Sequence, residues 1–158
     1  NLVFRRMNMK KLSSVWFMWF AFGFGVISVL LMFTPHLHAS AGRYSGAQVF
    51  FNTVTMYKGA WPSFVGYMLI LVGALALGIL ALPFVQPSVQ QEKIVLISSI
   101  SALVIGSLLV MLISVWFSIV NNNNSYDVNV YPLAGTFVAG GFALLAATSG
   151  AIALKKDW

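Results

Sequence analysis

The sequence predicts an all-α integral membrane protein with four transmembrane helices, and three observations carry that prediction. Of 158 residues, 59% are apolar and 8% charged, against roughly 45–50% and about 25% in soluble domains. Nine Lys/Arg and three Asp/Glu cannot clothe the water-facing surface of so small a chain. Four apolar segments, 12–34, 62–84, 94–120 and 132–154, are each long enough to cross a hydrocarbon core of about 30 Å. Proline punctuation agrees with them: Pro62 and Pro132 fall at first helical turns, where the missing N–H is harmless, and Pro35, Pro83 and Pro87 lie at or beyond ends. The whole chain, 1–158, reads as one four-span membrane domain.

Span one follows Arg5, Arg6, Lys10 and Lys11. Lys10-Lys11, an apolar stretch and Ala39-Ser40-Ala41 imitate a secretory signal. The stretch from Leu12 to Thr34 is far longer than the roughly 7–15 apolar residues of a signal, so a retained helix is expected. Met7 or Met9 would serve as a natural start, which would make residues 1–6 an upstream extension.

The outer loop 35–61 is long enough to hold structure. Ser45 and Gln48 are spaced as a capping box, Val49, Thr53, Met56 and Ala60 recur at helical spacing, and Lys58-Gly59 ends the pattern. A short amphipathic helix at the extracytoplasmic surface is expected; the β-branched Val49, Thr53, Val54 and Thr55 favour a β-hairpin as the competing reading. The inner loop 85–93 is short. Segment 94–120 would be about 40 Å long as a helix, so it should tilt or project beyond the membrane. The outer loop 121–131 opens with Asn121-Asn122-Asn123-Asn124 and continues through Ser125 and Asp127, all turn formers that predict a mobile link. Asn123-Asn124-Ser125 matches a glycosylation acceptor, a match that any Asn run before Ser generates.

Charge asymmetry predicts that both termini are cytoplasmic. That orientation places Arg5, Arg6, Lys10, Lys11, Lys93, Lys155 and Lys156 inside, and only Arg43 and Lys58 outside. Trp16, Trp19, Trp61, Trp116, Tyr126, Tyr131 and Trp158 all fall near span ends, as an aromatic belt does. The basic residues flank spans and form no stripe interleaved with aromatics, so no nucleic-acid partner is expected. The absence of cysteine excludes disulfides and thiolate chemistry, and suits a bacterial cytoplasmic membrane at least as well as a secretory-pathway one.

The chemical inventory points away from catalysis. No span contains Asp, Glu, Lys, Arg or His, which disfavours proton pumps and ion-coupled carriers. The carboxylates Glu92, Asp127 and Asp157 are divided between the two sides. His36 and His38 are spaced like two metal ligands in an extended segment, but a zinc site wants three or four donors. A serine nucleophile would have only these two histidines as a base. No catalytic residue, cofactor or metal is expected.

What remains is packing. In segment 132–154, Thr136, Ala139, Ala143, Ala146, Gly150 and Ala153 share one side, while Val138, Phe142, Leu145 and Ile152 share the other. Small side chains let helix backbones approach closely in lipid. Gly66, Ala74 and Gly78 in the second span, and Ala102 and Gly106 in the third, offer matching surfaces. The small face serves either an internal four-helix bundle or a docked partner. Ser107, Ser114 and Ser118 align in the outer half of the third span, either lining a polar vestibule or bonding to carbonyls of their own helix. The expected function is a non-catalytic accessory or assembly subunit of a larger membrane complex, a hetero- or homo-oligomer held in the bilayer with other integral membrane subunits. A small oligomeric channel or passive transporter is the alternative.

Overall fold

The computed structural model describes residues 2–39, 42–50, 61–85, 87–123 and 131–157. Among the described residues five helices form: α1 (Leu2–Leu30), continued by a 3-10 turn at Leu31–Phe33, α2 (Gly46–Phe50), α3 (Trp61–Leu80), α4 (Val89–Asn123) and α5 (Ala134–Asp157). Three strands accompany them: β1 (Pro35–Ala39), β2 (Gly42–Ser45) and β3 (Tyr131–Pro132). Four helical stretches among the described residues are long and apolar enough to cross a membrane: Leu12–Phe33, Ser63–Leu80, Val89–Trp116 and Ala134–Lys156. The chain is thus a mostly helical, multi-pass membrane protein.

The long helices run up and down in a ring. α1 packs on α3 and α5, α4 packs on the same two, and α3 barely touches α5 across the centre. Each helix therefore neighbours its sequence neighbour, and α5 closes the ring on α1. Two kinds of side chain fill the interior. Met18, Tyr67, Ile70, Leu77, Leu103 and Val110 supply bulk. Glycine and alanine supply approach: a Cβ on Gly66 would lie 2.8 Å from the Gly106 carbonyl oxygen, and one on Gly106 would lie 2.5 Å from the Gly66 oxygen. The α3 and α4 backbones thus touch directly there. Bulky residues such as Ile27, Val72, Ile105, Leu112 and Leu145 point outward. In water that polarity would be costly; in acyl chains it costs nothing, and close van der Waals packing decides which residues turn inward.

One end of the ring carries a small sheet, an addition to the mostly helical architecture expected. The strand order is β2-β1-β3, with both pairings antiparallel. Leu37 stands opposite Tyr44 and Pro132, and His38 opposite Arg43 and Tyr131. Gly42, whose φ of +134° strains any L side chain, pairs with Ala39 at the β1–β2 hairpin. A hairpin therefore exists in the 35–61 loop, but it precedes the β-branched residues that favoured one. A short helix exists as well. Ser45 N–H donates to Gln48 Oε1 at 2.9 Å and Gln48 N–H to Ser45 Oγ at 3.3 Å, the reciprocal capping box that starts α2. The remaining residues of that expected helix, Thr53, Met56, Lys58, Gly59 and Ala60, lie outside the described residues, as do Ser40, Ala41, Asn124, Ser125, Tyr126, Asp127 and Trp158.

Helix limits also differ from the apolar limits. α1 begins well before Leu12 and includes the basic residues. α4 spans 35 residues, or about 52 Å at 1.5 Å per residue, because a second capping box at Ser88 and Gln91 starts it inside the expected 85–93 loop.

Candidate functional site

The densest polar arrangement lies where the sheet meets the bundle. β1 carries a bulge between Pro35 and Leu37. This extra residue allows His36 and Leu37, adjacent in sequence, both to be buried. The His36 ring then reaches two partners. Its Nδ1 lies 2.8 Å from the Thr34 carbonyl oxygen, which can only accept, so Nδ1 carries the proton and donates. Nε2 is therefore an acceptor, and it receives the hydroxyl of Tyr67 from α3. The His36 carbonyl accepts from Leu133 N–H at 2.9 Å and from Thr136 Oγ at 3.1 Å. A Cβ on Gly46 would meet His36 Cδ2 at 2.9 Å, and one on Gly135 would meet Thr34 Oγ1 at 2.6 Å. His36 thus ties β1 to the starts of α2 and α5 and to the interior of α3, and glycine at 46 and 135 makes the room.

Burial holds the His36 imidazole below the usual histidine value, and its hydrogen bond to Thr34 only partly opposes this. The sign of the pH effect follows. Unfolded, His36 takes up a proton as pH falls through about 6.5; folded, it does so only at lower pH. The unfolded chain binds more protons in that window, so stability is full above it and declines as pH falls through it. Hydrogen exchange in β1 and β2, corrected for intrinsic rates, is expected to accelerate between about pH 7.5 and pH 5, and His36→Gln should flatten that profile.

His38 faces elsewhere. Its ring stacks on Tyr131, with centroids 4.6 Å apart and planes at 22°. The two histidines therefore serve different partners, one at the bundle and one across the β1–β3 pairing, and do not converge as a ligand pair.

Within the bundle, hydroxyls are directed at backbone. Ser28 of α1 donates to the Ala139 carbonyl at 2.7 Å, and Ser107 of α4 donates to the Gly140 carbonyl at 2.8 Å. Consecutive carbonyls of α5 thus receive its two neighbours. Ser114 and Ser118 bond to the carbonyls of Val110 and Ser114 in their own helix. The stripe is accordingly split between one interhelical bond and two local ones.

The small face of α5 lies inside the ring. Thr136, Ala139, Ala143, Ala146 and Ala153 are fully buried, and a Cβ on Gly150 would touch Ile100 and Leu77. Gly66 meets Gly106, Ala74 meets Gly25, Gly78 meets Phe22, and half-buried Ala102 sits beside Gly73. Sequence reasoning passed over Tyr67, Thr34, Ser28, Gly25 and Gly140. A phenol in the otherwise apolar run that follows Ser63 in α3 was the signal for Tyr67.

The chain matches no protein-family model, no curated protein and no solved structure in these comparisons. Its geometry is thus the ground for any functional reading. The His36–Tyr67 pair is enclosed on all the sides described and joins elements together, the arrangement of a structural tie.

Proposed function

We propose that the chain is a non-catalytic accessory or assembly subunit of a larger membrane complex, working through its outer surfaces. One observation carries this reading: five hydroxyls of the bundle are spent on its own backbone. Ser28, Ser107, Ser114, Ser118 and Thr136 all donate to carbonyls. The α5 small face is likewise occupied by neighbouring helices. A partner would therefore meet the outward bulky faces or the sheet, and the α5 small face is not the docking surface. The alternative, a pore between copies lined by Ser107, Ser114 and Ser118, needs those hydroxyls turned to a lumen, whereas Ser107 and Ser118 are buried within one chain. Gentle detergent extraction followed by native mass measurement tests the proposal. A larger assembly is expected, and a stable, partner-free monomer would overturn it.

In this reading both termini are cytoplasmic, the sheet is extracytoplasmic, and the membrane is a bacterial cytoplasmic membrane. The seven-to-two distribution of Lys/Arg supports that orientation. Single cysteines at Ser45 or Asn122 should react with an impermeant thiol reagent on intact cells, and one at Ser88 should not. The chain has no cysteine of its own to obscure the result.

A further inference from the structure

The end of the bundle opposite the sheet carries an uneven distribution of charge. α1 and α4 begin there and α5 ends there, with α5 packed between the other two. Each of these three helices brings cations: Arg5, Arg6, Lys10 and Lys11 in the opening turns of α1, Lys93 near the start of α4, and Lys155 and Lys156 in the last turn of α5. Glu92 and Asp157 are the only acids in the same turns. α3 ends at Leu80, and residues 81–88 that lead from it contain no charge at all. The cations therefore belong to the ends of α1, α5 and α4, an arc of three helix ends, and the α3 end brings none.

The structure fixes the middle of that arc. Lys156 Nζ lies 3.1 Å from Ser13 Oγ of α1 and 4.8 Å from the centroid of the Phe17 ring. This pins the last turn of α5 against α1, next to the turn that holds Lys10 and Lys11. Lys93 and Lys155 are exposed. Trp16, 58% exposed, and Trp19, 38% exposed, lie about a turn or two further into the span, as residues at headgroup depth do. Cations within a turn or two of a span's end meet lipid phosphates first, and their methylene stems can lie along apolar surface while the charged ends reach them.

We propose that this arc is a one-sided binding surface for the phosphate groups of anionic phospholipids, centred on the last turn of α5. The neutral α3 side takes lipid without preference for charge. The surface works in either orientation of the chain, so it stands apart from the topology and subunit readings.

The full chain reconstituted in phosphatidylcholine vesicles tests it, with brominated phosphatidylglycerol or brominated phosphatidylcholine as tryptophan quencher. The anionic quencher is expected to quench well beyond its bulk share. Lys93→Gln with Lys155→Gln should remove about half of that excess, Lys93→Arg with Lys155→Arg should keep it, and Arg43→Gln at the sheet end should leave it unchanged. Helicity by circular dichroism confirms that each variant is folded. Equal quenching by the two lipids would overturn the proposal, as would an excess untouched by the Gln pair or equally reduced by Arg43→Gln. Inorganic phosphate should compete no better than chloride at matched ionic strength; stronger competition would mean a free-anion site in place of a lipid surface.

Discussion

Replacing Gly106 with Ala is expected to destabilise the bundle by about 1–3 kcal/mol, and replacing it with Leu should prevent recovery of the folded protein. The reason is backbone contact. A Cβ at 106 would lie 2.5 Å from the Gly66 carbonyl oxygen and 2.7 Å from Ile70 Cγ1. A carbonyl cannot rotate away as a side-chain tip can, so α3 and α4 must separate along their crossing, and lipid supplies no hydrophobic force to hold them together. Gly66→Ala should behave alike, since its Cβ would meet the Gly106 oxygen at 2.8 Å. The double variant should cost less than the sum, because the first change already opens the shared contact. Gly23 and Gly141 provide the control: nothing lies within 4 Å of a Cβ at either, so Ala there should be neutral or stabilising through helix propensity. Unfolding in mixed micelles of mild detergent and dodecyl sulfate measures the five alanine variants, and the yield of folded chain measures Gly106→Leu.

Ala143→Leu and Leu145→Ala should differ sharply although they lie two residues apart. Ala143 is 0% exposed, whereas Leu145 is 49% exposed on the opposite side of α5. Leu at 143 forces three extra heavy atoms into the packed ring, at a cost of about 1–3 kcal/mol. Ala at 145 removes bulk from a lipid-facing surface, and acyl chains refill the space as protein neighbours cannot. Recovery of folded chain in mild detergent should fall for Ala143→Leu and stay near normal for Leu145→Ala. The opposite order would mean that the bulky face is the buried one.

Much of this architecture is written in local patterns. Uninterrupted apolar runs mark the spans, and the Ser45/Gln48 spacing marks the start of α2, because each feature depends on residues within a few turns. The small and bulky sides of α5 are equally visible as a periodicity. What occupies the small side is not, since alanine on a helix face carries no address for its neighbour. The sheet escaped for a related reason. β3 is two residues long and pairs with a strand near the end of the first span, so no alternation announces it. The His36–Tyr67 tie also joins residues from separate elements, and only the bulge that turns His36 inward brings them together.

The pairing of β1 with β3 has a consequence for the order of synthesis. Leu37 and His38 find Pro132 and Tyr131, and Ser28 finds the Ala139 carbonyl, only after the start of α5 has left the ribosome. A nascent chain that stops at the end of α4 holds three long helices around an open groove, with one edge of β1 uncovered and the Ser28 hydroxyl without that acceptor. Insertion of α5 closes the groove, the strand edge and the hydroxyl in one event. Insertion of α5 is therefore also the moment at which an insertion chaperone or quality-control protease would lose these exposed features.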